Sequence, residues 1–392
     1  MRQDDLLPPS PSPSPSASAL ADQIAAEIRA AGGWIGFERY MELALYSPGL
    51  GYYARGDRQF GALPSSGSDF ITAPQLSPLF GRALARQVLE ALQATGTREV
   101  WEFGAGSGAL AAQLLASLGE QIERYTIVDL SGTLRARQRQ TVTEQVPQWA
   151  DKLHFADRLP EQLDAVVVGN ELLDAMPVVL LHFDGRHWLE RGVTLAPQAG
   201  AAPRFVWSDR PTTLQPPDTS GEPAGRLYPT GTVTELPRQA SAFVTTLAGV
   251  LRRGAAFFID YGFPEHEFYH PQRSGGTLMC HRAHQADPDP LDAPGEKDIT
   301  AHVDFTAIAL AGQDAGLEVL GYTSQARFLL NCGLADDLLI ASNHDDFAAL
   351  AAGQKLITEH EMGELFKVIG FAAAATPFAA CGFAAGDRSH TL

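Results

Sequence analysis

The chain has 392 residues, 45% of them hydrophobic, and a formal charge of -17 from 29 Lys+Arg against 46 Asp+Glu. That is enough apolar chain to bury the core of a large α/β unit, and the acidic balance excludes sequence-independent nucleic-acid binding, which needs a cationic surface. Cys280, Cys332 and Cys381 are too few and too dispersed for a disulfide framework or a CxxC metal motif, which suits a reducing compartment.

The first twenty residues carry acids early and no apolar h-region, so they read as neither a signal nor a transit peptide. No run approaches the roughly 18 apolar residues of a membrane span. The expectation is a cytoplasmic protein without membrane insertion. Residues 1–18, alternating Pro and Ser from Pro8, read as a disordered tail. Leu20, Ile24 and Ile28 then mark an amphipathic helix from Ala19 to Ala30, stopped by Gly32-Gly33. Phe37 to Arg58 holds too many turn residues for one regular element. A helix is expected from Pro78 to Ala94.

An alternation of strands and helices begins at Glu99. Strands are expected at Glu99–Phe103, Tyr125–Asp129, Leu153–Phe155 and Asp164–Val168, with helices between them, the first at Ala109–Leu118. This pattern makes βαβ units and a parallel sheet. Residues 183–237 break the rhythm and read as a β-hairpin insertion. A helix from Ala240 to Arg252 and a strand from Ala255 to Ile259 resume it. The long segment 263–298 reads as a functional or disordered loop. A helix near Val303–Ala311, a strand Leu317–Gly321, helices over 326–354 and an apolar piece Phe366–Phe371 close the fold. The expected organisation is one domain over 19–371, with an Ala-rich end at 372–392 that frays.

The sharpest motif is Trp101-Glu102-Phe103-Gly104-Ala105-Gly106-Ser107-Gly108, between a strand and a helix. Glycine permits positive φ and close approach of a ligand to the main chain, and the helix start offers free N–H groups. Asp129, at the end of the next strand, stands where an acid hydrogen-bonds ribose hydroxyls in nucleotide-binding Rossmann folds. Gly104, Gly106 and Ala109 satisfy the NAD fingerprint. Gly104, Gly106 and Gly108 equally satisfy the E-x-G-x-G-x-G pattern of S-adenosylmethionine (SAM) enzymes. Two features favour SAM: Glu102 precedes the loop, where a carboxylate can organise a site for a zwitterionic methionine end, and a second polar cluster follows the fourth strand.

That cluster is Asn170, Glu171 and Asp174. In SAM enzymes of this sheet order, residues after strand four face the transferring methyl, and polar groups there hold an acceptor nitrogen. Guanidinium keeps its proton strongly and is bound in bidentate fashion by carboxylates, so a carboxylate pair can orient it and accept the proton it sheds. Glu171 and Asp174, three apart, would share one side of a helical turn. The competing reading is that Asp174 caps a helix starting at Met176 or Pro177.

These residues carry a resemblance. With Tyr40-Met41 through Pro48-Gly51-Tyr52-Tyr53, Asp69-Phe70-Ile71-Thr72-Ala73-Pro74, Asp260-Tyr261-Gly262 and Asp298 to Phe305, the chain resembles the MidA (DUF185) family of SAM-dependent methyltransferases over about Gly36 to Phe371. Gln75 stands where the family commonly has Glu, and Ser68 where it commonly has Gly. The resemblance implies a seven-stranded Rossmann-like α/β sheet with insertions over about 34–78, 183–237 and 263–298 forming a substrate lid. It implies that the cofactor SAM is held by Glu102, Gly104, Ala105, Gly106, Gly108, Asp129, Leu130, Asn170, Thr72 and Pro74. It also implies a protein-arginine acceptor, since mitochondrial members are complex I assembly factors that methylate an arginine. Catalysis would fall to Glu171, Asp174 and Asn170. The expected partner is a protein with an accessible arginine; a homodimer is compatible with this reading.

His281, His284 and the run Asp298, Thr300, His302, Asp304 do not form a zinc pattern, so no metal is expected. These histidines would line the acceptor cleft or satisfy local hydrogen bonds; Asp304 sits near a helix N-cap. Tyr261 would contact ligand or pack in the core. Three rival functions are a nicotinamide oxidoreductase (for which no Tyr-x-x-x-Lys is seen), a non-catalytic docking protein and a small-molecule N- or O-methyltransferase.

Overall fold

A computed structural model of the chain describes residues 15–55, 72–129, 131–197, 202–218, 221, 224–282, 285–287, 289–344 and 346–392. In chain order the elements are α1 (Pro15–Ala30), β1 (Ile35–Gly36), α2 (Phe37–Tyr46), α3 (Ala73–Leu76), α4 (Pro78–Thr95), β2 (Glu99–Phe103), α5 (Ala109–Leu118), β3 (Arg124–Val128), α6 (Gly132–Gln145), β4 (Leu153–Ala156) and β5 (Leu163–Asn170). Then follow β6 (Val179–Phe183), β7 (Trp188–Leu195), β8 (Phe205–Pro211), α7 (Ala224–Leu227), β9 (Val233–Leu236), α8 (Arg238–Val250), β10 (Leu251–Phe263), α9 (Glu265–Phe268), β11 (Met279–Arg282), β12 (Gln285–Asp287), β13 (Asp298–Thr300) and β14 (Val303–Asp304). The chain closes with α10 (Phe305–Asp314), β15 (Leu317–Ser324), α11 (Gln325–Asn331), α12 (Leu334–Asn343), α13 (Phe347–Ile357) and β16 (Phe366–Ala373).

The central sheet runs β15-β16-β10-β5-β2-β3-β4, with the short β14 added beside β10. The five strands from β10 to β4 are parallel, and β16 is antiparallel to both of its neighbours. This is the expected α/β doubly wound sheet. Its strands are apolar on both faces, as burial on both sides requires. Along β5, Val166 and Val168 pack toward α4 and α5, whereas Ala165 and Val167 pack toward α8 and α10. Strand order reverses between β2 and β5, which opens a crevice at their carboxyl ends.

Several expectations are corrected. Residues 15–18, placed in the tail, begin α1, whose Ala17 and Leu20 are buried; the rest of that tail lies outside the described residues. The described part of 37–58 is not one regular element, as expected: turns follow a helix over Phe37–Tyr46, where Phe37, Tyr40, Met41 and Ala44 have helical spacing and are all buried. The 183–237 insertion is more than a hairpin: β6, β7, β8 and β9 join β1 from the N-terminal region in a five-stranded antiparallel sheet. That sheet packs on α1 and α2 through a second core containing Ile24, Tyr40, Leu180 and Val193. The long segment 263–298 contains α9 and a small β12-β11-β13 sheet. The helices expected over 326–354 are present as α11 to α13. The Ala-rich end is packed rather than frayed. Phe383 fills the space above Gly321 and Gly370, and the Arg388 N–H donates to the Tyr322 carbonyl at 2.6 Å.

Candidate active site

A cavity of about 710 Å³ opens at the carboxyl ends of β2, β3 and β5. Its walls come from the glycine loop, the start of α6, the turn after β5, and two N-terminal pieces, residues 46–54 and 72–74. The sequence expected Glu102, Gly104, Ala105, Gly106, Asp129, Asn170, Glu171, Thr72 and Pro74 near one ligand, and all of them line this cavity. Leu130 lies outside the described residues.

The loop after β2 needs its glycines. Gly104, Gly106 and Gly108 have φ of 68°, 50° and 82°, a region that L side chains rarely enter. Gly108 is not on the cavity wall; it opens α5, and a Cβ there would stand 2.9 Å from the Gln138 Cα. Helix α6 pins the loop: Gln138 Nε2 donates to the Gly106 carbonyl (3.2 Å) and Thr141 Oγ1 to the Ser107 carbonyl (2.8 Å). Gln138 Nε2 also donates to Asp129 Oδ2 at 2.8 Å, and the Ser131 N–H donates to Oδ1 at 2.8 Å. Asp129 is thereby held at the rim, with lone pairs left for a ligand hydroxyl. Glu102 is buried on the floor, where the Tyr125 hydroxyl donates to it at 2.7 Å. Burial pushes its carboxyl up to about 8 against the effect of that hydrogen bond.

The turn after β5 is built on an acid that the sequence reading had left without a role. Asp260, at the end of β10 and buried, accepts the N–H groups of Leu172 (3.1 Å), Leu173 (2.8 Å) and Asp174 (3.2 Å) on one oxygen, Oδ2. The Glu171 N–H still donates to the Ile259 carbonyl at 2.9 Å, after which Glu171 takes a φ of 52°. A non-glycine residue held there is strained by on the order of 1–3 kcal/mol and persists because its surroundings fix it. No helix follows, so Asp174 is neither a helix cap nor the partner of Glu171 on a helical face. Asp174 is also absent from the cavity wall. It lies behind it, buried, facing Tyr261 and Asp260, and burial raises its carboxyl to about 6. Asp260→Ala is expected to leave three N–H groups unpaired, two of them buried, and to cost about 2–3 kcal/mol, measured by urea unfolding; an unchanged midpoint would remove Asp260 from this role.

Glu171 faces the cavity with Asn170. Asn170 Nδ2 donates to Glu171 Oε1 at 3.0 Å, which leaves Asn170 Oδ1 buried without a hydrogen-bond partner. Asp174 Oδ1 is unpartnered too. Burial, and then the like charge of Asp174, push the Glu171 carboxyl up to about 8. Glu171 and Asn170 therefore bring acceptor atoms to this part of the wall.

The other candidates fall elsewhere. His302 stacks on Phe263 at 5.3 Å and lies edge-on to Tyr261 at 5.0 Å, outside the cavity lining, and burial lowers its imidazole to about 4. Asp304 caps α10, accepting the Ala307 N–H at 3.1 Å. His281 lies on β11, and His284 is outside the described residues. Among the described residues no three His, Cys, Asp or Glu side chains converge as metal ligands, and no helix is long and apolar enough to cross a membrane.

A family model described as S-adenosyl-L-methionine-dependent methyltransferase matches residues 83–323. The chain belongs to this family. It is 53% identical to a Burkholderia thailandensis protein whose crystal structure contains S-adenosylhomocysteine, with a TM-score of 0.90 over 97% of this chain and 100% of that one. It is also similar to the mitochondrial protein arginine methyltransferase NDUFAF7 of Danio rerio, 28% identical over 89% of this chain and 86% of that protein. The human NDUFAF7 is 28% identical over 85% and 79%. The protein is a class I methyltransferase, and SAM is its cofactor. The cavity of this methyltransferase suits that ligand: two positive-φ glycines, Gly104 and Gly106, leave the main chain bare, the buried Glu102 carboxyl lies on the floor and Asp129 stands at the rim.

Proposed function

We propose that this methyltransferase acts on the guanidinium of an arginine in another protein. The observation that carries the reading is the group of acceptor atoms brought to the wall by Glu171 and by Asn170, whose Oδ1 is unpartnered. A guanidinium brings five N–H donors and a charge that does not titrate away, so it satisfies that wall as a neutral hydroxyl does not. The names of the NDUFAF7 relatives point the same way.

Glu102, Gly104, Gly106 and Asp129 would hold the cofactor, which supplies an electrophilic methyl on a sulfonium centre for in-line displacement. The remaining chemistry belongs to this chain. Glu171 and Asn170 orient the guanidinium, which is the main contribution available to such a displacement. The arriving cation lowers the Glu171 pKa from its raised value, so the carboxylate forms where the proton must go. The Asp260 cap and the Asn170 hydrogen bond hold that carboxyl in place, against the strain at Glu171, before substrate binds. The family resemblance directs the search to a respiratory-complex subunit, with the reaction in the cytoplasm.

The reading is checked with labelled SAM and cell lysate, followed by site mapping of the labelled protein. Label on arginine nitrogen is expected. Label confined to lysine or to small molecules would replace the arginine reading with another acceptor class.

A further inference from the structure

Tyr46 closes α2 and lines the same cavity as Asn170 and Glu171. Tyr46 is 42% exposed. Its hydroxyl donates to the Ala175 carbonyl at 2.8 Å, across 129 residues of sequence. One face rests on Tyr53, with centroids 5.6 Å apart and planes at 25°. Tyr53 is itself fixed, because its hydroxyl donates to Asp298 Oδ1 at 2.8 Å and its ring lies edge-on to Tyr52 at 5.0 Å. The ring of Tyr46 is thus pinned at one end and backed on one side.

It shares two acidic neighbours with Glu171. Asp174 and Asp298 act on both residues, which places the ring and the carboxylate in one acidic neighbourhood. The two acids bearing on Tyr46 give the ring an acidic border, and Tyr53 covers one of its faces. An aromatic face attracts a cation, and a flat guanidinium stacks on it more fully than a compact ammonium does. A carboxylate alone attracts either one.

Resting on the arginine reading above, we infer that Tyr46 is a specificity-determining residue, the platform on which the acceptor guanidinium stacks while Glu171 holds its edge. The ring costs little to order on binding, because Tyr53 and the Ala175 carbonyl already hold it.

The test uses the full-length protein loaded with S-adenosylhomocysteine and a peptide taken from the mapped methylation site, with its lysine counterpart as control. Peptide affinity is read by calorimetry, and KM and kcat are read with SAM. Tyr46→Leu is expected to weaken arginine-peptide binding and raise its KM by roughly tenfold, the scale of a partly desolvated cation–π contact. The preference over the lysine peptide should narrow, and S-adenosylhomocysteine affinity should hold. Tyr46→Phe, which keeps the ring and loses the hydroxyl anchor, should cost less than Tyr46→Leu. Arginine-peptide affinity within twofold of wild type in Tyr46→Leu, with S-adenosylhomocysteine still bound, overturns the platform. So does an equal loss in the Phe and Leu variants, which would assign the effect to the hydroxyl anchor alone. Wild-type protein that methylates some other group removes the arginine reading and the platform together, and the wild-type control registers that case separately.

Discussion

Glu171→Gln is expected to lower kcat by about 100- to 10,000-fold, the range for a lost general base, with S-adenosylhomocysteine affinity within about threefold of wild type. The substitution keeps the shape of the side chain and its place on the wall but removes the site that takes the proton. The same carboxyl sets the pH dependence. Burial and Asp174 raise it to about 8 in the acceptor-free protein, and only the ionised form can accept a proton. The profile of kcat/KM reports the free enzyme, so it should climb with pH through about 8 and level off above it. Arginine stays charged throughout, so the climb belongs to the enzyme. The Gln variant should lose it. A variant with wild-type kcat and an unchanged profile would mean that the proton leaves by another route.

Gly106→Val should weaken S-adenosylhomocysteine binding by at least about 100-fold in a calorimetric titration. Gly106 has a φ of 50°, where a β-branched residue is an outlier. Its carbonyl is held by Gln138, so the loop cannot swing freely to relieve the strain. Valine either pulls the loop from α6 or fills the space over the bare main chain; both remove the cradle. The variant should still fold, because Gly106 lines the cavity rather than the core. Normal ligand affinity in the variant would show that the loop is not where the cofactor sits.

What was legible in the sequence was local. Helix α5 lies at the expected bounds because the glycine loop and the apolar run after it leave little choice. Strand β2 also lies at its expected bounds, and β3 and β5 fall within two residues of theirs, because in each an apolar run meets a turn. Glu102, Gly104, Gly106, Asp129, Asn170 and Glu171 meet at one cavity because each sits at the carboxyl end of a parallel strand, and in a doubly wound sheet those ends converge by topology. The same reasoning failed for Asp174. Spacing by three implied a shared helical face, but a turn tied to Asp260 points it behind the wall.

The sequence by itself determined the βαβ rhythm, the glycine loop and the acids at strand ends, because backbone freedom and hydrophobic period are properties of neighbouring residues. Only the tertiary structure decided the rest. Asp260 gathers N–H groups 86 to 88 residues away, and Tyr46 reaches Ala175 across 129. Strand β16 slips between β10 and β15, and Phe383 anchors the Ala-rich end beneath it. Such partners share no local signal. They are chosen by which buried donors and apolar faces remain to be satisfied once the sheet has formed, and that is settled by packing across the whole chain.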